Sequence, residues 1–311
     1  MKIPKLELFA VNLRTPSHME WTNDNRLLVS EHTSGEVKDI TDGGDFKDVQ
    51  PFASNLQGPS SILPLSDGRI LISEMWGNRI SEISSGGLVT NENNYTTANS
   101  PYSLVKEKDK ILVTEREGTH TLKIVDISDF NNKKTIIKGI PFNLMPGLEG
   151  LTPLKSWPEN WRNFSIACAG WKDGGDPDPD SHPLRAIDKP NYLLASCSLF
   201  GHIYTIPEGE NHNYLDLIEQ EKNLLFTGLD WAGGMHFNKT SSKLYVTQPL
   251  KGTVLELDLD QSFKKPLDCR FIPPIIKGLN MPTCIRFSPN EKEMYVCSMP
   301  IGAVWRLTNF I

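Results

Sequence analysis

The sequence predicts an all-β chain: one ring of six four-stranded blades, a six-bladed β-propeller closed by its own N-terminal strand. Three observations predict it. First, a two-strand phrase recurs at Leu27–Ile40 (LLVSEHTSGEVKDI), Leu193–Ile206 (LLASCSLFGHIYTI), Leu244–Leu257 (LYVTQPLKGTVLEL) and Met294–Leu307 (MYVCSMPIGAVWRL). Looser copies lie at Ile70–Ile83 and Ile111–Ile127. Second, a Pro or Gly opens a short apolar strand 14 to 16 residues before the first strand of most copies ends: Pro16 before Glu31, Pro59 before Glu74, Pro101 before Glu115, Gly233 before Gln248 and Pro282 before Ser298. Third, a repeat of roughly forty to fifty residues belongs to propellers and solenoids rather than to layered α/β domains.

Each element of the unit has its reason. Strand A (Ser17–Trp21 in the first unit) follows the Pro, and Asn23, Asp24 and Asn25 turn the chain into strand B (Leu27–Ser30). Gly35 turns it again into strand C, and polar linkers leave room for an outer strand such as Asp48–Phe52 or Phe271–Ile276. Only Tyr214–Lys222 carries a helical pattern. The last strand, Gly302–Leu307, ends almost at the C-terminus, so Lys5–Leu13 is expected to supply the outer strand of the last blade and remove the open edge. The third and fourth copies are 83 residues apart, Gly118 to Gly201. Within that span Gly147–Leu154 resembles a strand A, Phe164–Gly170 a strand B, and Pro183–Ile187 a second strand A after the acidic loop Trp171–Ser181. The reading is one domain over residues 1–311 with an elaborated fourth blade at about 147–192; the alternative is seven blades, one of them degenerate.

Composition narrows the function. A net charge of −6, with the charges interspersed, argues against a nucleic-acid partner, which requires a basic face. No apolar run nears the ~20 residues that span a bilayer, so no membrane association is expected. The N-terminus has Lys, Pro and Glu where a secretory leader needs an apolar core. Five cysteines without a CxxC pair fit a reducing compartment. A soluble, cytoplasmic protein is the expectation. There is no GxGxxG motif or P-loop, so no nucleotide cofactor is expected.

The stretch Ile72-Ser73-Glu74-Met75-Trp76-Gly77-Asn78-Arg79-Ile80 resembles the NHL repeat, and Pro59–Ile72 extends the likeness. The same superfamily of six-bladed propellers includes gluconolactonase-type sugar lactonases, paraoxonase-like lactonases, strictosidine-synthase-like and sorbosone-dehydrogenase-like proteins. That resemblance implies architecture rather than one activity. The gluconolactonase family opens its first blade with Glu-Gly-Pro-x-Trp, whose Glu binds the metal. Here the stretch is Ser17-His18-Met19-Glu20-Trp21, with Ser17 in place of that Glu. The counterpart of that family's Pro-Asn-Gly motif is Pro282-Thr283-Cys284, without the Asn. Both departures count against ordinary sugar-lactonase chemistry.

Candidate residues gather where strand B ends and strand A begins. Glu31, Glu74 and Glu115 end three successive B strands and are expected metal ligands for Ca2+ or another divalent cation, which takes oxygen donors. The competing reading is that each accepts hydrogen bonds within its own blade, because repetition is what a structural role produces. Glu149 breaks the repeat and is the sharpest catalytic candidate, with His18 and His236 on strand A as base or ligand. Tyr102, Ser61, Cys197 and Gln248 are expected substrate contacts at the same rim. The Asp173–Asp180 segment lacks the EF-hand order and reads as a solvated loop over that rim. Together these predict an enzyme acting on a small molecule at the tunnel mouth, a lactone or ester hydrolase assisted by a metal. A cyclase or isomerase, and a non-catalytic NHL-type scaffold for a peptide or protein partner, are the alternatives.

Overall fold

The computed structural model describes residues 4–107, 109–117, 121–141, 184–189, 192–197, 201–206, 211–213, 221–238, 241 and 243–310. These residues form six sheets, each beginning with a strand A that pairs antiparallel with B, and B with C. The A and B strands are Pro16–Trp21 and Leu27–Glu31 in blade 1, Pro59–Pro64 and Ile70–Glu74 in blade 2, and Leu104–Glu107 and Lys110–Glu117 in blade 3. They continue as Leu184–Lys189 and Tyr192–Cys197 in blade 4, Met235–Asn238 and Lys243–Gln248 in blade 5, and Pro282–Phe287 and Met294–Ser298 in blade 6. The N-terminal strand Lys5–Val11 pairs with Ala303–Thr308 as the outer strand of blade 6, so the ring closes as expected.

Burial, not hydrogen bonding, supplies the cohesion between blades. Apolar clusters sit at the seams: Leu28 and Val37 of blade 1 pack with Ile62, Ile70 and Ile72 of blade 2, and Met19 and Val29 of blade 1 with Cys284, Tyr295 and Val304 of blade 6. Each such side chain contributes ~1.5–3 kcal/mol when fully buried, against ~1 kcal/mol net for a hydrogen bond. Hydrogen bonds instead set the register.

Two repeated devices do this. In blades 1 and 2 strand A opens with a bulge, and the hydroxyl one residue before the end of strand B accepts an N–H there: His18 N to Ser30 Oγ (3.2 Å) and Ser61 N to Ser73 Oγ (2.9 Å); in blade 3 Ser103 N, just ahead of strand A, donates likewise to Thr114 Oγ1 (2.8 Å). The connector into strand A is tied on both sides. Leu13 N donates to Gly302 O of blade 6, and the next residue, Arg14, donates its N–H to Glu31 Oε1 of blade 1 (2.9 and 2.6 Å). Leu56 and Gln57 repeat this between Gly35 and Glu74, as Leu229 and Asp230 do between Gly201 and Gln248. The turn glycine is required because it sits at φ +60 in Gly302, with an added Cβ meeting Leu13 O at 2.1 Å.

Some expected boundaries shift. The outer strand of blade 1 is Ala53–Ser54, not Asp48–Phe52, and in blade 5 only Ile276 bridges strand C, at Val254. Pro51 interrupts the first stretch, and Pro273 and Pro274 the second; proline cannot donate to a ladder. The inner strand of blade 4 runs Leu184–Lys189, one residue later at its start than expected, and its partner register is continuous. The other elements expected between 147 and 183, the acidic loop, and most of the Tyr214–Lys222 segment lie outside the described residues. Short strands from the stretches that follow strand C in four blades latch in parallel onto the previous blade's outer strand, as Gly87–Leu88 does on Ala53–Ser54.

Gly302→Ala is expected to cost more than about 2 kcal/mol, because positive φ alone costs roughly 1–2 kcal/mol in an L-residue and the clash with the connector adds to it. Gly68→Ala, at φ +91 with nothing within 4 Å of the new Cβ, carries the first contribution alone. Urea unfolding compares the two, and equal losses would remove the connector from the account.

Candidate active site

Register defines two layers of strand-A residues around the axis. At one level of the B strands stand Leu28, Leu71, Leu112, Leu194, Tyr245 and Tyr295, opposite Glu20, Leu63, Val105, Ile187, His236 and Arg286. This layer is divided. Blades 2, 3 and 4 contribute the apolar positions Leu63, Val105 and Ile187, while the neighbouring blades 5, 6 and 1 contribute His236, Arg286 and Glu20. The second layer, towards the ends of the B strands, holds His18, Ser61, Ser103 and Gly234, where an added Cβ would strike the blade 6 backbone at 2.5 Å.

Glu20, Leu63, Val105, His236 and Arg286 line one cavity of about 500 Å3. It opens among the A–B turns, with Thr22, Asn23 and Asn25 from blade 1 and Ser288, Pro289 and Glu291 from blade 6. The mouth expected to hold the site is the opposite one. Trp21, Phe237 and Phe287 add aromatic surface, and Lys106 a cation. The Arg286 side chain is only 13% exposed; its Nε donates to Glu20 Oε2 at 2.7 Å and its Nη1 to Ile285 O at 2.7 Å. Burial disfavours its charge, but the Glu20 carboxylate outweighs burial and raises its pKa. The His236 ring lies 5.2 Å from Phe287, which also packs on Tyr245, the register partner of His236. Tyr245 and Tyr295 are buried and donate to Glu256 Oε2 and Glu293 Oε2 (2.8 and 2.6 Å), so the walls behind His236 and Arg286 are held by bonded phenols.

Of the expected site residues, His236 lines this cavity. His18, Ser61 and Tyr102 are neighbours at the other mouth: the His18 and Tyr102 rings are 5.7 Å apart, and Ser61 N donates to Tyr102 O at 3.3 Å. All three are fully or almost fully buried. Gln248 is a connector acceptor; its Oε1 takes the Asp230 N–H at 2.7 Å and its Nε2 donates to Thr253 Oγ1 at 3.0 Å. Glu149 lies outside the described residues. Cys197 ends its strand opposite His202 and Leu184, and its side chain lies outside the description. Glu20 and Arg286 escaped the sequence reading. The signal for the arc was Tyr where four blades have Leu, at 245 and 295.

The three glutamates are not brought together. Glu31 accepts from Arg14 N and Ser34 Oγ, and Glu115 pairs with Lys123 at 3.3 Å. Glu74, with no exposure, accepts from Gln57 N, Ser81 and the Arg79 guanidinium. A carboxylate whose oxygens are held by an arginine does not fit a cation site, and among the described residues no three His, Cys, Asp or Glu side chains group to hold a metal ion.

Asp230 is the exception at that mouth. It stands one residue after Leu229, where other connectors have Arg14 or Gln57, and blade 5 carries neutral Gln248 instead of Glu. The swap keeps two carboxylates from meeting. Asp230 Oδ1 is buried and has no hydrogen-bond partner among the described residues, and burial pushes the carboxyl up to about 6, with Lys251 at 3.8 Å opposing.

No protein-family model matches the chain, and no curated protein sequence does. Solved structures do, and what they share with the chain is the fold. The match with a gluconolactonase from Xanthomonas campestris covers 98% of this chain and 89% of the other, at TM-score 0.61 and 12% identity. A virginiamycin B lyase from Staphylococcus aureus matches over 99% of this chain and 100% of its own, at TM-score 0.53 and 13% identity. A luciferin-regenerating enzyme matches over 99% and 96%, at 0.60 and 11%. The chain is a six-bladed β-propeller whose structural neighbours are gluconolactonase-like and virginiamycin B lyase propellers. At such identities the likeness is one of fold. No described helix is long and apolar enough to cross a membrane.

Two outcomes follow. Glu74→Ala should destabilise by about 3–5 kcal/mol, since it strands Arg79 and the Gln57 N–H, and chemical denaturation of variant and parent measures this; an unchanged midpoint would contradict the connector role. For Asp230, the folded pKa lies above the ordinary 3.8, so the folded state holds its proton more tightly and stability is lost as pH rises from about 3.8 to about 6. Asp230→Asn should therefore be more stable than the parent by about 1–3 kcal/mol at pH 7.5, with the gap closing towards pH 4. A pH-independent gap would contradict the titration.

Proposed function

We propose that the cavity at the A–B turns is the active site of an enzyme that hydrolyses a small ester or lactone. The observation that carries this is the pairing of His236 and Arg286 at one level of adjacent inner strands, facing an apolar wall across a cavity of about 500 Å3. That volume is within the range of small-molecule pockets. Repeats do not produce such a cluster; it is the part of the layer that departs from the repeat.

Each group has a role its chemistry allows. The apolar body of the substrate lies against Leu63, Leu104 and Val105. The Arg286 guanidinium, fixed by Glu20 before any substrate arrives, donates to the carbonyl oxygen and to the negative charge that grows there. His236 takes a proton from water as the water oxygen bonds to the carbonyl carbon. The carbon–oxygen bond to the leaving group then breaks, that oxygen takes the proton back, and an acid and an alcohol (one hydroxy acid for a lactone) result. The gluconolactonase among the structural neighbours acts, by its name, on a lactone, which supports this class of substrate.

A panel of γ- and δ-lactones and aryl esters, assayed by proton release with purified protein, tests the reading. Turnover of at least one member is expected, with kcat reduced 10²–10⁴-fold in His236→Ala and the β-sheet circular dichroism unchanged. Full activity in that variant would refute the assignment.

A further inference from the structure

Glu20 holds Arg286 in place, and its position has a chemical consequence. A lone guanidinium in a half-apolar cavity selects anions, because a carboxylate gives it both charge and a bidentate partner. Arg286 is not alone. Glu20 Oε2 sits 2.7 Å from its Nε, and Glu20 Oε1 accepts from Trp21 N at 3.1 Å, so the carboxylate is fixed in place. Among the described residues Arg286 Nη2 has no hydrogen-bond partner, so a donor remains after the charge is matched. Among the described lining residues Lys106 and Glu291 repeat the balance with opposite sign, so these residues bring two cations and two carboxylates to the cavity.

We infer that Glu20 is a specificity residue: it makes the cavity select uncharged carbonyl compounds with an apolar body and reject carboxylates, including the acid that hydrolysis releases. This rests on the cavity being the substrate site, as proposed above. A neutral carbonyl oxygen takes an Arg286 Nη2 hydrogen without adding charge. A carboxylate in the same position adds a negative charge beside Glu20, in surroundings that water screens poorly. The product acid ionises at neutral pH and is expelled, which limits product inhibition without any moving part.

Phenylacetamide and phenylacetate share a ring and a carbonyl and differ in charge, and neither is an ester. Titration calorimetry of the full chain at pH 7.5 should show the amide binding at least tenfold tighter than the carboxylate. Glu20→Gln, which keeps the shape and a hydrogen-bond acceptor, should tighten phenylacetate at least tenfold and change the amide less than threefold. Arg286→Gln should weaken both. Equal affinities in the parent protein, or an unchanged ratio in Glu20→Gln with the amide still bound, would overturn the inference while leaving the cavity as the substrate site. Binding of neither compound, together with lactone turnover that survives His236→Ala, would overturn both.

Discussion

The structure depends on the connector that joins each blade to the next. In the connectors at Leu13, Leu56 and Leu229, two consecutive N–H groups donate in opposite directions, one to a turn glycine of the blade behind and one to the residue ending strand B of the blade ahead. Apolar seams hold blades together but do not say where along the seam they stop. The connector does, because Leu13, Leu56 and Leu229 are buried, and an unpaired buried N–H costs more than a made bond gains. The glycine is present for the close approach, and the acceptor for the N–H. The strand A that follows is thereby placed at one height in the ring, and every side chain facing the axis inherits that height.

The same constraint separates structural acidity from chemical acidity. Glu31 and Glu74 recur because connectors recur, and their oxygens are committed before any ligand arrives. Where the connector residue is itself an acid, as at Asp230, the acceptor becomes Gln248 and the charge conflict disappears. Blade 6 has Ser298 at that position, with its hydroxyl buried and, among the described residues, without a hydrogen-bond partner. Function is then to be sought among positions the connector leaves unconstrained. The layer of Glu20, His236 and Arg286 is such a set, since nothing in the repeat requires polar residues there.

Much of the fold was legible in the sequence because it is written several times. The recurrent phrase, the Pro before strand A and the unpaired last strand pointed to six blades and to a closing strand at Lys5–Leu13, which the structure has at Lys5–Val11. The outer strands were less legible, since prolines at 51, 273 and 274 leave only fragments of ladder and the polar linkers look alike. The site was legible only at His236. The ends of strand B stand out in an alignment of repeats, and that prominence reflects the connector bonds, not a ligand. Glu20 and Arg286 meet across the ring closure, 266 residues apart, and no local pattern announces such a pair. Register arithmetic finds it once the pairing of A with B is known, together with the replacement of Leu by Tyr at 245 and 295.

A crystal structure of the protein with a lactam, the non-hydrolysable counterpart of a lactone, tests the central claim most directly. The account predicts the lactam in the cavity at the A–B turns, its carbonyl oxygen within hydrogen-bond distance of Arg286 and its ring against Leu63 and Val105. A lactam bound instead at the mouth where the B strands end, beside His18 and Tyr102, would contradict it.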